Sequence, residues 1–211
     1  MSSHFKLILV DFYGVLGQLD HESALELLRK HAPNLRVSGA VLLENYFDTN
    51  PYYKSLDLGR MSYRAMLEEV LPELWTGPID EWFEMWDDIW RCYIFNYPLI
   101  QLLQRAWRSG VRVAVASDTH LEFDSWFRSY RLFDFLHDHL YTSSKLGVKK
   151  PALEFYEAIL EKYCVAPTDA LYIDDSDYNI QQCSTFGITS LRFDKYISPD
   201  LREQIELCCE L

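Results

Sequence analysis

Three groups of chemically able side chains each sit where an apolar run stops, and a fourth lies in a loop just before a helix. Asp11 follows Leu7–Val10, Ser117 and Asp118 follow Val111–Ala116, and the pair Asp174–Asp175 follows Leu171–Ile173. Lys149 and Lys150 close the loop from Ser143 to Pro151. Adjacent carboxylates repel one another unless a cation lies between them. A hydroxyl and an ammonium beside them suit an anionic group such as a phosphate. Each signal has a plainer reading as well. A lone Asp after a strand often caps a turn, Ser117-Asp118-Thr119 could cap the next helix, and Lys150-Pro151 could be a solvated loop before a helix with Pro in its first turn. The acidic pair is not an EF-hand loop, which needs a central Gly and a Glu at its twelfth position.

The elements that must position these groups are legible from apolar periodicity. Leu7–Val10, Val111–Ala116, Leu171–Ile173 and Ile188–Phe193 have the length and β-branched content of buried strands. Helical patterns at Leu153–Tyr163 and about Asn179–Phe186 lie between the later ones. Strand alternating with helix predicts an α/β fold with a parallel sheet. Ligands of such sheets bind beyond the carboxyl ends of the strands, which is where all four groups stand. From about Leu19 to Tyr97 no strand run is found and the chain reads as helical throughout. Ile79, Trp82, Phe83, Trp86, Ile89, Trp90 and Tyr93 mark one face of a helix that starts after Gly77-Pro78. That aromatic stripe is expected to pack inside a helical bundle; the sharper alternative is that one or two rings line a substrate pocket.

Composition narrows the function. Of 211 residues, 49% are hydrophobic and 25% charged, the balance of an ordinary globular protein rather than a disordered or fibrous one. Thirty-two acidic residues against 20 basic ones give −12, which argues against a nucleic acid or an anionic membrane as partner. The apolar run Phe5–Val10 is too short for a signal peptide or a membrane span. Five cysteines with no CxxC pair (Cys92, Cys164, Cys183, Cys208 and Cys209) read as reduced thiols, so a cytoplasmic location is expected.

Taken in order, the motifs resemble those of the haloacid dehalogenase (HAD) superfamily. Asp11-Phe12-Tyr13-Gly14-Val15-Leu16 is similar to its first motif, Ser117 to its second, Gly147-Val148-Lys149-Lys150-Pro151 to its third, and Asp174-Asp175-Ser176-Asp177-Tyr178-Asn179 to its fourth. The stretch Gln182–Ile188 is similar to the family's helix-to-strand ending. The resemblance implies a Rossmann-like, doubly wound parallel sheet core over residues 1–18 and 98–211, with an inserted all-helical cap over 19–97. It also implies an enzyme, with Asp11 as nucleophile, Ser117 and Lys150 as catalytic groups, and Ser117, Asp118, Lys150 and Gly14 around the phosphate. Mg²⁺ is then expected on the Asp11 carboxylate, the Tyr13 carbonyl and Asp175, with Asp174 direct or through water. The expected partner is a small phosphate ester, and the expected state a monomer or homodimer.

One position departs from the pattern. Most phosphatases of this superfamily carry a second Asp two residues after the nucleophile, as general acid and base; here Tyr13 stands there. A phenol, with an unperturbed pKa of ~10, is a poor base. Taken alone, the change predicts a preference for leaving groups that need little protonation. The Asp-x-Tyr-Gly arrangement, with Lys150 and Tyr156 six apart, resembles instead the metal-free branch that dehalogenates 2-haloacids. That branch tends to have Ser and Asn where Asp174 and Asp175 stand, and its cap arginine has no match: Arg36 is too early, and Leu42 is near the expected place. The paired carboxylates favour the magnesium phosphohydrolase. A weak relative that only binds a phosphorylated ligand is the third reading.

Overall fold

The computed structural model describes residues 5–43 and 50–207. In chain order its elements are β1 (Leu7–Val10), β2 (Gly17–Leu19), α1 (His21–Lys30), α2 (Pro51–Asp57), α3 (Tyr63–Leu74), α4 (Ile79–Trp90), β3 (Tyr93–Phe95) and α5 (Tyr97–Arg108). There follow β4 (Arg112–Ser117), α6 (Phe123–Ser129), β5 (Leu140–Thr142), the short α7 (Ser143–Leu146), α8 (Leu153–Tyr163), β6 (Ala170–Asp174), α9 (Asp177–Thr185), β7 (Thr189–Arg192) and α10 (Pro199–Leu207).

Five strands pair in the order β5-β4-β1-β6-β7, every pair parallel. Their unbroken apolar runs are explained by burial on both faces. Ile8, Val10, Val113, Val115, Leu171 and Ile173 point toward α5, α6 and α10, while Leu7, Leu9, Ala114, Ala116 and Tyr172 point toward α8 and α9. The fold is thus a doubly wound α/β sheet, as the sequence implied. β1 lies at the centre with β4 on one side and β6 on the other, so the chain changes direction across it. That is the switch point at which such sheets bind ligands.

The helices between β1 and β4 build a core of their own. Ala24 and Leu28 of α1, Met66, Leu67 and Val70 of α3, and Trp82, Met85 and Ile89 of α4 are buried together. The aromatic stripe of α4 therefore splits. Trp82 packs into this core, Ile89, Phe83 and Trp86 both pack against it and line a cavity, and Trp90 lines that cavity. Among the described residues no helix is long and apolar enough to cross a membrane.

Three strands escaped the sequence pattern. β5 is three residues, too short to show a period, and is held by parallel pairing to β4. β2 and β3 form a separate antiparallel ribbon, so the stretch from Leu19 to Tyr97 is not helical throughout. Tyr93, read as the last ring of the α4 face, stands on β3 instead, because α4 ends at Trp90 and the chain turns to pair with β2. β1 has the expected bounds, and β4, β6 and β7 differ from theirs by one residue at each end.

Phe12, directly after the nucleophile candidate, is fully buried at the junction of sheet and helices. Its ring meets Phe123 edge-on at 4.9 Å, Trp126 at 5.5 Å and Tyr13 at 5.2 Å between centroids. Deleting such a ring costs about 3–5 kcal/mol through lost burial and the cavity left behind. We therefore expect Phe12→Ala to lower the unfolding free energy by that amount, seen as a lower urea midpoint with an unchanged m-value. A loss below about 1 kcal/mol would mean that the aromatic junction is not closely packed.

Candidate active site

The centre of the site is one ammonium between two carboxylates. Lys150 Nζ lies 2.8 Å from Asp11 Oδ1 and 2.9 Å from Asp174 Oδ2, and all three side chains are buried. Burial pushes the lysine pKa down, but the charges of Asp11, Asp174 and Asp118 outweigh it and hold the ammonium protonated, well above its ordinary range. Asp11 is pushed up to about 7, by burial first and by the charge of Asp174, against the pull of Lys150. Its Oδ1 also accepts the Phe12 N–H at 2.7 Å, so that oxygen is committed, and Oδ2 takes neither bond.

Asp174 is fixed from every side. Its Oδ1 accepts the Ser176 N–H at 2.8 Å; its Oδ2 accepts Asn179 Nδ2 at 3.1 Å and the hydroxyl of Tyr172, besides Lys150. Burial raises its pKa, yet Lys150 and these donors outweigh that and hold it below the usual carboxylate range. Ser176 serves twice, since its hydroxyl also caps α9 by accepting the Asn179 N–H. Tyr172 is in turn held edge-on by Tyr156, 5.2 Å away between ring centroids. Tyr156 thus supports the acidic pair from within the core.

Asp175 completes a group of three carboxylates. One oxygen each of Asp11, Asp174 and Asp175 lies within 4.8 Å of the others. Burial and the charge of Asp174 raise the pKa of Asp175. Three carboxylates against a single ammonium leave a negative excess that suits a small, oxygen-seeking dication. Gly14 shapes the same place. At φ +75° it adopts the left-handed conformation, and a Cβ there would run into the Asp175 carboxylate. Gly14 was expected around the phosphate; its Cα faces Asp175. The turn's hydrogen bonds go to the Phe12 and Gly17 carbonyls, so the Tyr13 carbonyl is not consumed by them.

The remaining candidates lie around this centre. Ser117 is fully buried at the end of β4, and its hydroxyl has no partner, a costly state for a polar group unless a ligand supplies one. The Asp118 carboxylate accepts the Lys150 N–H at 3.0 Å, so it fixes the lysine loop with its side chain. The adjacent Lys149 pairs with Asp57 of α2 at 2.5 Å. Asp57 was not legible in the sequence: nothing in its neighbours marks it, and only the tertiary fold brings it to the loop.

Beside the centre opens a cavity of about 550 Å³ between the sheet edge and the helices. Its walls include Tyr13, Tyr53, Tyr63, Phe83, Trp90 and Trp126, and among the described residues no lysine or arginine lines it. The Tyr13 hydroxyl bonds Thr119 Oγ1 at 3.0 Å, and burial keeps its pKa well above the ordinary phenol range. His120 stacks on Tyr63 at 5.4 Å, with Nδ1 3.2 Å from Glu122 Oε2. Leu42, near the place of the dehalogenases' arginine, is buried in the helical core.

Known proteins resemble this chain in sequence and in fold. A curated D-ribitol-5-phosphate phosphatase of Bacteroides thetaiotaomicron is 26% identical over 200 residues, 89% of this chain and 91% of that one. A HAD-family enzyme of the same organism, solved as its magnesium complex, superposes with a TM-score of 0.70 at 20% identity, over 91% of this chain and 94% of its own. A predicted HAD-like hydrolase from Porphyromonas gingivalis gives 0.71 at 18% identity, over 95% and 97%. These two structures share the fold. The family model of haloacid dehalogenase-like hydrolases matches residues 5–183, from before β1 to within α9 and so across all four motifs. The chain belongs to the haloacid dehalogenase-like hydrolases.

Proposed function

We propose that this hydrolase is a Mg²⁺-dependent phosphatase of a small phosphate ester that works through an aspartyl-phosphate on Asp11. The observation that carries this reading is the group of three carboxylates compensated by one ammonium. Asp11, Asp175 and the Tyr13 carbonyl are the proposed ligands. Asp174, already saturated by four donors, takes part only through water. Mg²⁺ bound there offsets the repulsion between the Asp11 carboxylate and an approaching phosphate dianion. The phosphatase relative supports the choice of phosphate ester.

The chain's own groups then have distinct tasks. Lys150 keeps Asp11 oriented and neutralises charge on the incoming phosphoryl group. The unpartnered Ser117 hydroxyl donates to a phosphoryl oxygen. Asp11 attacks phosphorus as the ester oxygen departs; water then attacks the same phosphorus, and phosphate leaves with Asp11 restored. Residues 19–97, as a cap, close the aromatic cavity over the leaving group and exclude water. A 2-haloacid would bring a carboxylate into that cavity, where among the described residues no lysine or arginine meets it.

We expect Asp11→Asn to bring turnover of 4-nitrophenyl phosphate to background while the fold persists, and fluoroberyllate to bind the natural protein but not the variant. Near-normal turnover in the variant would rule out the covalent mechanism. Asp175→Asn should weaken Mg²⁺ binding beyond the ~10–100-fold that loss of a merely supporting partner costs. Undiminished hydrolysis in excess chelator, above all of 2-chloropropionate, would favour the dehalogenase reading.

The pH dependence has a definite sign. The folded pKa of Asp11, about 7, exceeds its unfolded value. In the metal-free protein its contribution to stability is complete at low pH and is lost as pH rises through about 7. A proton and Mg²⁺ compete for the same carboxylate. Calorimetry should therefore show apparent Mg²⁺ affinity falling below pH 7, by at most about tenfold per unit, with proton release on binding. Affinity that stayed constant from pH 5.5 to 8 would exclude Asp11 as a ligand.

A further inference from the structure

Asp57 is a charged side chain that the fold buries and that the metal and phosphate groups leave unused. It ends α2 and is only 4% exposed. One carboxylate oxygen pairs with Lys149; the other, Oδ1, is buried without a hydrogen-bond partner. A buried acceptor without a donor is costly, and a donor that arrives with a ligand would relieve it.

Its surroundings say which donor. Lys149 adjoins Lys150, whose N–H is held by Asp118, so Asp57 stands against the loop that carries the catalytic ammonium. Tyr53, one helical turn earlier on the same face of α2, lines the aromatic cavity. Asp57 thus marks the end of that face nearest the lysine loop. Its charge is felt by both Tyr13 and Asp118. Two residues on, Gly59 at φ +66° is pressed so closely on the Ser144 carbonyl that no side chain fits there.

We propose that Asp57, supplied by the helical insertion, is the acid–base residue of the reaction, in the role that Tyr13 cannot fill as a base. The inference rests on the phosphohydrolase reading. In the first step protonated Asp57 gives its proton to the ester oxygen as the P–O bond breaks and Asp11 forms its bond to phosphorus. The free carboxylate then takes a proton from water as its oxygen attacks phosphorus and the Asp11–phosphorus bond breaks, which restores both residues. A leaving hydroxyl and an attacking water are the donors that Oδ1 lacks. Lys149 pairs with Asp57, and Tyr13 and Asp118 stand close enough to feel its charge.

The test compares the natural Mg²⁺-loaded protein with Asp57→Asn on 4-nitrophenyl phosphate, phenyl phosphate and glycerol 2-phosphate. The natural protein should show little dependence of kcat on leaving-group pKa, contrary to what Tyr13 alone predicts. Asp57→Asn should lose ~10²–10⁴-fold in kcat, as for one general acid–base group. With 4-nitrophenyl phosphate the variant should release one equivalent of nitrophenol per site in a burst and then turn over slowly, because hydrolysis of the aspartyl-phosphate has lost its base. With glycerol 2-phosphate it should show no burst. A uniform loss with no burst would make Asp57 a cap anchor and overturn the assignment. So would a steep leaving-group dependence in the natural protein, a measurement that needs no folded variant. If the natural protein hydrolyses none of the three esters, or Asp11→Asn hydrolyses them normally, the phosphohydrolase reading itself fails and takes the assignment with it.

Discussion

A buried ammonium held between two carboxylates organises this molecule. Lys150 draws together the end of β1 through Asp11, the end of β6 through Asp174 and, by its own N–H, the loop after β4 through Asp118. Removing one partner of such a group typically costs ~3–5 kcal/mol, because the remaining charge is stranded in low dielectric. The other devices at the sheet edge keep this arrangement in register. Tyr172, Asn179 and the Ser176 N–H hold Asp174, while Ser143 Oγ holds the Thr119 N–H and links the β4 and β5 loops. Function and stability are opposed here. The same negative excess that would attract a cation raises the pKa of Asp11 and Asp175 when no cation is bound.

The second constraint is the junction of helices and sheet, which is made mainly of rings. Phe12, Tyr13, Phe123 and Trp126 come from the sheet side, and Trp90 comes from α4, stacked on Tyr93 of β3 at 5.1 Å. Large rings with few rotatable bonds fix the outline of a cavity at little entropic cost. Polar ties cross the same junction at its two ends: Glu122 accepts the Tyr63 N–H at 3.0 Å, and Lys149 reaches Asp57. The cavity is therefore bounded by chemistry of two kinds, apolar walls and charged corners.

Much of this was legible in the sequence because the relevant physics is local. β1 reads directly from Leu7–Val10, α8 from the period of Leu153–Tyr163, and the acidic pair from its place at a strand end. Asp11, Ser117, Lys150, Asp174 and Asp175 converge because parallel strands present their carboxyl ends on one edge. Side-chain assignments within the site were less legible. Asp118 and Gly14 serve the lysine loop and Asp175 in ways that depend on backbone approach, not spacing. β5 and the ribbon strands are too short to show a pattern and exist through pairing alone. Tyr172 reads as an ordinary strand residue until its hydroxyl is seen on Asp174, and Asp57 becomes notable only once the fold buries it.

The ribbon of β2 and β3 has an architectural consequence. Leu19 and Tyr93 are opposite one another in an antiparallel register, so the chain leaves for the helices and returns from them at a single point. Partners in such a register stand about 4.5–5.5 Å apart, a gap that a two-residue hairpin turn spans. The 73 residues between these partners, 20–92, thus form an excisable module: closing the ribbon with an Asn-Gly turn leaves every strand of the five-stranded sheet in place. The same junction admits a foreign insert whose two ends lie side by side, which makes the sheet a chassis on which the covering part is exchangeable.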